Sequence, residues 1–302
     1  MGAAIILAAT LCAGQVQAFS LRPAIQEFVV DPGDKVQSYV EVTNDEDVAQ
    51  DFYLSVQKFV PKGASGQQDF LPLSDVEGLP SWIYFSAPKY QLKAGETRQI
   101  PFDLKVPGEA NGGGYYAAIF VSNQPPVLTG KQSAMGSRTG SLIFLTVRGL
   151  IVSQAEITHF LAQSQANVAQ AEVRFDLSIR NTGNIHLQPS GYLRITDWWG
   201  QSVAKIKINP EGARILPSSS RYFSATWKEG NWFAFGKYQV TYESEGQNVS
   251  GITATEFQLA PRKSLLMAIG GGLLGLVVLG LVVSWVRKRK KASKVPESSK
   301  AR

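Results

Sequence analysis

Cysteine is almost missing from this chain. The one cysteine, Cys12, lies in an uncharged apolar opening segment. One cysteine allows no disulfide framework within the chain, and removal of that segment as a leader leaves no thiolate chemistry either. Histidine is nearly as scarce: only His159 and His186 occur, and no HExxH, GxSxG, CxxC or Walker pattern surrounds them. A non-enzymatic protein without a cofactor is the expectation. Helical periodicity of useful length is also missing before residue 260. Charge is present but badly distributed. Residues 287–302 hold eight Lys/Arg and one Glu, whereas everything before them is close to neutral. The pI of about 9.3 therefore belongs to a short tail, which removes the case for nucleic-acid binding.

What remains is strand-like. Ile100-Pro101-Phe102-Asp103-Leu104-Lys105-Val106 puts Ile, Phe, Leu and Val on one face and Pro, Asp and Lys on the other. That period of two marks a half-buried antiparallel strand, and Pro101 predicts an edge position or a bulge. Val36–Val42 has the same alternation. Strands are also expected at Ile25–Val30, Phe52–Phe59, Trp82–Ser86, Tyr115–Ser122 and Ser141–Ser153. Turn residues separate them: Asp31-Pro32-Gly33-Asp34, Asn44-Asp45-Glu46-Asp47, Lys93-Ala94-Gly95-Glu96 and Asn111-Gly112-Gly113-Gly114. The pattern recurs in residues 156–260, with strands at Glu172–Arg180, Tyr192–Thr196, Val203–Ile208, Arg221–Trp227, Lys237–Ser244 and Ile252–Leu259. Each half has an alternating strand ending in Asn (Val42-Thr43-Asn44, Ile179-Arg180-Asn181). Each also has a later small-residue turn leading into another strand (Ala94-Gly95-Glu96, Pro217-Ser218-Ser219). An all-β chain of two tandem immunoglobulin-like β-sandwiches follows, 19–155 and 156–260.

Residues 1–18 read as a signal peptide, with Val16-Gln17-Ala18 as the small-residue cleavage pattern. Near the other end, Leu265 to Val286 is uncharged and rich in Leu, Val, Ile and Gly. A helix of that length is about 33 Å long and crosses a bilayer core. The basic run from Arg287 to Lys291 then predicts a cytoplasmic tail (287–302), with the N-terminal part outside a cell membrane crossed once. Gly271 and Gly275 sit one turn apart in that helix, so a second copy could pack closely as a homodimer through the span.

Candidate binding residues come from loops and aromatics. Val60–Pro80 and Asn123–Gly140 are long connections, the second carrying Lys131 and Arg138. Trp198-Trp199 is the sharpest feature. In a strand, adjacent side chains face opposite ways, so at most one of the two can enter the core and the other is expected outside. Trp232 lies in a second aromatic segment. An exposed indole can stack on a sugar, pack on a partner or sit at a membrane interface. Asp45, Asp47 and Asp51 form an acidic turn. A hard cation is an alternative there, but the spacing fits no calcium loop and no metal is expected.

Several of these stretches resemble the first domain of WxL-interacting proteins of Gram-positive surfaces. They are Val29-Val30-Asp31-Pro32-Gly33-Asp34, Val40-Glu41-Val42-Thr43-Asn44, Leu92-Lys93-Ala94-Gly95-Glu96-Thr97 and Gly113-Gly114-Tyr115-Tyr116-Ala117-Ala118-Ile119. The resemblance covers residues 25–122. It implies two extracellular sandwiches, one span, a basic tail, and a first domain associated with peptidoglycan. The expected role is a cell-surface protein that binds or scaffolds an envelope protein or peptidoglycan. The alternative is a carbohydrate-binding surface module using exposed Trp residues.

Overall fold

The computed structural model describes residues 19–126, 137–166, 171–229, 235–246, 248–260 and 263–292. Along the chain come β1 (Phe19–Arg22), β2 (Ile25–Val30), β3 (Lys35–Asn44), β4 (Gln50–Lys62), β5 (Gln67–Phe70), α1 (Leu79–Trp82), β6 (Ile83–Phe85), β7 (Lys89–Leu92), β8 (Thr97–Lys105), β9 (Gly113–Ser122) and β10 (Arg138–Val147). Then follow β11 (Gln154–Ala166), β12 (Ala171–Asn181), β13 (Gly191–Thr196), β14 (Ser202–Ile208), β15 (Ser220–Glu229), β16 (Gly236–Ser244), β17 (Asn248–Gly251), β18 (Ala254–Leu259) and α2 (Lys263–Ala292). They form two compact units. The first takes the chain up to Ala155 with Arg180–Gln188 and Arg214–Arg221; the second takes Glu156–Ile179, Pro189–Ala213 and the chain from Tyr222 on.

In the first unit, a sheet ordered β1-β3-β8-β6 faces one ordered β2-β10-β9-β4-β5, with β7 also on β4. The expected alternation does the packing. Ile100, Phe102, Leu104 and Val106 are buried with Val40 and Val42, and opposite them lie Ile119, Val121, Ile143 and Leu145. Pro101 sits at a local edge, as expected, although β8 is an interior strand. The reason is local: β6 pairs with β8 only from Phe102 to Leu104, so β8 has no β6 neighbour at Pro101. The Trp82–Ser86 strand starts one residue later than expected, since α1 occupies Leu79–Trp82. Pro80 suits the first turn of a helix. Part of the long Val60–Pro80 connection is a hairpin: β4 continues to Lys62 and pairs with β5.

The repeated strand-end Asn has a physical role. Asn44 is fully buried, and its amide donates to Val48 O (2.8 Å) and Lys93 O (2.9 Å), while its own N–H donates to Glu96 O (2.9 Å). Asn181 is equally buried and donates to Ile185 O (2.7 Å) and Ile215 O (2.9 Å), with its N–H on Ser219 O (2.8 Å). In both places one side chain closes its own turn, four residues on, and ties it to a distant turn.

In the second unit the sheets are ordered β15-β12-β11-β17 and β14-β13-β16-β18. Val173, Phe175, Leu177 and Ile179 of β12 are buried in alternation, as are Leu193 and Ile195 of β13. Phe257 joins the layers, 5.8 Å from Phe175 and 5.9 Å from Trp227 between ring centroids. The helix α2 extends beyond the expected 265–286 at both ends, carrying the basic run within it. Its stretch Ile269–Lys288 is long and apolar enough to cross a membrane, and none of it is buried by the protein.

Candidate functional site

The six-stranded sheet of the first unit is apolar on both faces. β9 and β10 alternate sides, so Ile119 and Ile143 enter the sandwich core while Tyr116, Ala118, Phe120, Leu142 and Phe144 point the other way. That outer face is itself covered: Phe59, Ala118, Phe120, Phe144 and Leu216 form a second buried cluster. Phe70 of β5 stacks edge-on against Phe120 at 4.9 Å. A strand buried on both sides reads as a continuous apolar run, which is how Tyr115 to Val121 reads. That signal was available in the sequence.

Charge fastens the cover to β2. Glu27 accepts a hydrogen bond from Arg214 Nε, and His186 Nε2 lies 3.4 Å from the same carboxylate oxygen. The Arg214 guanidinium also lies 5.2 Å from the Phe144 ring centre. The Arg214 hydrogen bond holds the Glu27 carboxyl below its ordinary range. Burial pushes the His186 imidazole down, with Glu27 opposing, so it stays neutral at neutral pH. Burial drives the Tyr116 hydroxyl above the ordinary phenol range. His186 is mostly covered, its side chain 14% exposed. It packs against Phe144 at 5.0 Å between ring centres.

Beside this cover lies a cleft of about 490 Å³. Phe59, Pro61, Tyr115 and Leu216 supply apolar walls, and Asn184 and Ser218 supply polar points. Lys58 and Glu77 face each other at 3.9 Å in its lining. The neighbouring β2 is the terminal strand of its sheet and exposes Ile25 and Val29, the latter at 59%. Its pairing with β10 is parallel, and the carbonyls of Ala24 and Val30 point at β10. By the parallel ladder's alternation, the backbone groups of Ile25, Glu27 and Val29 point outward.

In the second unit, Trp198 and Trp199 lie in the turn between β13 and β14 rather than in a strand, and both are exposed, at 53% and 70%. At least one was expected outside; both are, because neither lies in a strand. Asp197 builds the turn: its carboxylate accepts from Trp199 N (3.0 Å) and Gln201 N (2.8 Å). The two indoles lean together, 4.0 Å between centroids. Trp198 covers Gly236, where an added Cβ would sit 3.2 Å from the indole. Gly236 also has a φ of +101°, so glycine is needed there on two counts.

The other sequence-nominated residues are scattered. Lys131, Trp232 and residues 1–18 and 293–302 lie outside the described residues. Arg138 begins β10 in place of a free loop position, donates to Gln57 Oε1 and lies 3.4 Å from the Phe120 ring centre. Burial lowers the pKa of its guanidinium. Asp51 pairs with Lys89 at 2.8 Å. Among the described residues no group of three or more His, Cys, Asp or Glu side chains is placed to hold a metal ion, so Asp45, Asp47 and Asp51 do not form one. Gly271 and Gly275 face open space on α2.

These features define an all-β protein of two immunoglobulin-like sandwiches followed by one helix of membrane-span length. No protein-family profile matches the chain, and no curated protein matches it. Solved structures of similar fold include the class 5 fimbriae chaperone CfaA, at 13% identity and a TM-score of 0.40 over 80% of this chain and 99% of that one. The E. coli chaperone DraB matches at 14% identity and a TM-score of 0.34, over 80% and 97%. A PapD-like domain of human CEP192 matches at 14% identity and a TM-score of 0.32, over 49% and 97%.

Proposed function

We propose that the chain is a non-enzymatic cell-surface protein, anchored by α2 with its basic end in the cytoplasm, that holds an extended segment of a partner envelope protein. The observation that carries this reading is the β2 edge, which has no neighbouring strand on its outer side among the described residues and exposes Ile25 and Val29. An added strand would bond to the outward backbone groups of Ile25, Glu27 and Val29, with alternate side chains setting specificity. Other edges are less inviting: β14 carries Lys205 and Lys207, and lysine on an edge discourages pairing. The resemblance of residues 25–122 to WxL-interacting proteins supports an envelope role for this unit.

A photo-crosslinking residue at position 29 in intact cells tests the reading. One dominant protein adduct is expected. With the crosslinker moved to position 25, Val29→Pro removes an outward N–H without touching the β10 ladder, and should weaken capture about fivefold for one lost backbone bond of about 1 kcal/mol. Val29→Lys should weaken it further. Labelling no stronger than from position 84, on the other sheet, sinks the strand-addition reading. Sedimentation of the protein with purified wall polymer, unaffected by Val29→Lys, would make peptidoglycan the ligand instead.

A further inference from the structure

The aromatic turn of the second unit stands at the end of the sandwich from which the apolar helix leaves. Gly236, under Trp198, is the register partner of Leu259 in β18. Leu259 is four residues before Lys263, the first residue of α2. Consecutive Cα atoms are 3.8 Å apart, so the helix start lies within about 15 Å of Leu259. Phe235, adjoining Gly236, is also exposed. The second unit thus presents Trp198, Trp199 and Phe235 beside the point where the chain enters its span.

We propose that this turn rests in the headgroup layer of the same bilayer that α2 crosses, so that the second unit is held against the lipid surface. Tryptophan collects at that depth because its ring is apolar and its N–H can still find water or a lipid oxygen. The indoles are exposed although the turn beneath them is rigidly built, held by Asp197 and packed on Gly236. A fixed exposed aromatic pair suits a flat apolar surface that is always present. The span supplies that surface. The inference rests on α2 spanning a membrane but not on which side the sandwiches face.

The test uses the full chain in vesicles of phosphatidylcholine and phosphatidylglycerol carrying bromine near the acyl ester, which quenches indoles at headgroup depth. Trp198, Trp199 and Trp285 are the exposed indoles among the described residues. The Trp198→Phe/Trp199→Phe protein is therefore expected to lose about half or more of the quenching. Unchanged quenching in that variant overturns the proposal. So does a blue shift of the pair's emission on adding soluble glycan fragments without lipid quenching, which would make the turn a sugar site. Retention of both proteins in vesicles through alkaline extraction reports the span separately. If both wash out, the membrane reading itself has failed; if both stay and quenching is unchanged, only the turn's placement has. Far-ultraviolet circular dichroism of the variant confirms that the sandwiches are intact.

Discussion

Replacing Asn44 with alanine removes a side chain that is fully buried and joins two turns. Its amide makes two short bonds, to Val48 O at 2.8 Å and Lys93 O at 2.9 Å, and a longer one to Leu92 O at 3.3 Å. Its Oδ1 accepts from Glu46 N at 3.2 Å. Two good bonds contribute about 1 kcal/mol each, and a carbonyl left dry and unpaired costs about 1 kcal/mol or more, for a total near 3 kcal/mol. That is roughly a hundredfold in the opening equilibrium. Amide hydrogen exchange on the full chain in detergent reads it directly. The slowest amides of β3 and β8 should exchange roughly a hundredfold faster in Asn44→Ala, while those of β13 and β16 in the second unit should not change. Asn44→Asp should be worse at neutral pH, because it sets a carboxylate against the same carbonyls. Acceleration below about tenfold, or an Asp variant as stable as wild type, would refute the assignment of stability to these bonds.

Three further outcomes follow from the covered outer face. Acidification from neutrality should weaken the first unit as pH falls below about 6.5, because the unfolded chain takes up a proton that buried His186 refuses. Thermal melting against pH should show this slope, and His186→Gln should flatten it; the Glu27 contribution is lost only at lower pH, as protonation releases Arg214. Gly114→Ala should cost about 1–3 kcal/mol, since its Cβ would collide with the Tyr116 hydroxyl and sit 3.3 Å from Ile185 Cα. Tyr116→Phe should change the melting temperature little, because among the described residues the buried hydroxyl makes no well-formed hydrogen bond, only a weak approach to the His186 backbone.

Strands with one wet face were legible because burial on one side leaves a period of two. The β2 range coincides with its expected one, and β8 and β13 with theirs to within a few residues. The paired roles of Asn44 and Asn181 were legible as a repeated position, though not as a bonding pattern, because their partners lie 49 and 34 residues away. The turn under Trp198 and Trp199 was missed for a different reason. Alternation predicts facing only inside a strand, and β13 stops at Thr196, where the Asp197 side chain begins to satisfy backbone donors that a ladder would otherwise take. His186 and Arg214 were illegible as a pair because nothing local marks two residues that meet on the carboxylate of Glu27.

The covered outer face also accounts for how β2 can serve as an open edge without inviting indiscriminate pairing. Glu27 is the middle of its three outward positions, and an unpaired carboxylate there would repel or desolvate at cost against an incoming strand. Arg214 and His186 hold that side chain on the sheet's outer face, flanked by exposed Ile25 and Val29. The backbone edge is then left free while the charge is already partnered. Arg214→Ala releases the carboxylate, and crosslinking from position 25 is expected to fall about as far as it does in Val29→Lys, with exchange in β8 unchanged. Undiminished crosslinking would mean that the ion pair serves only to fasten the cover and has no bearing on the edge.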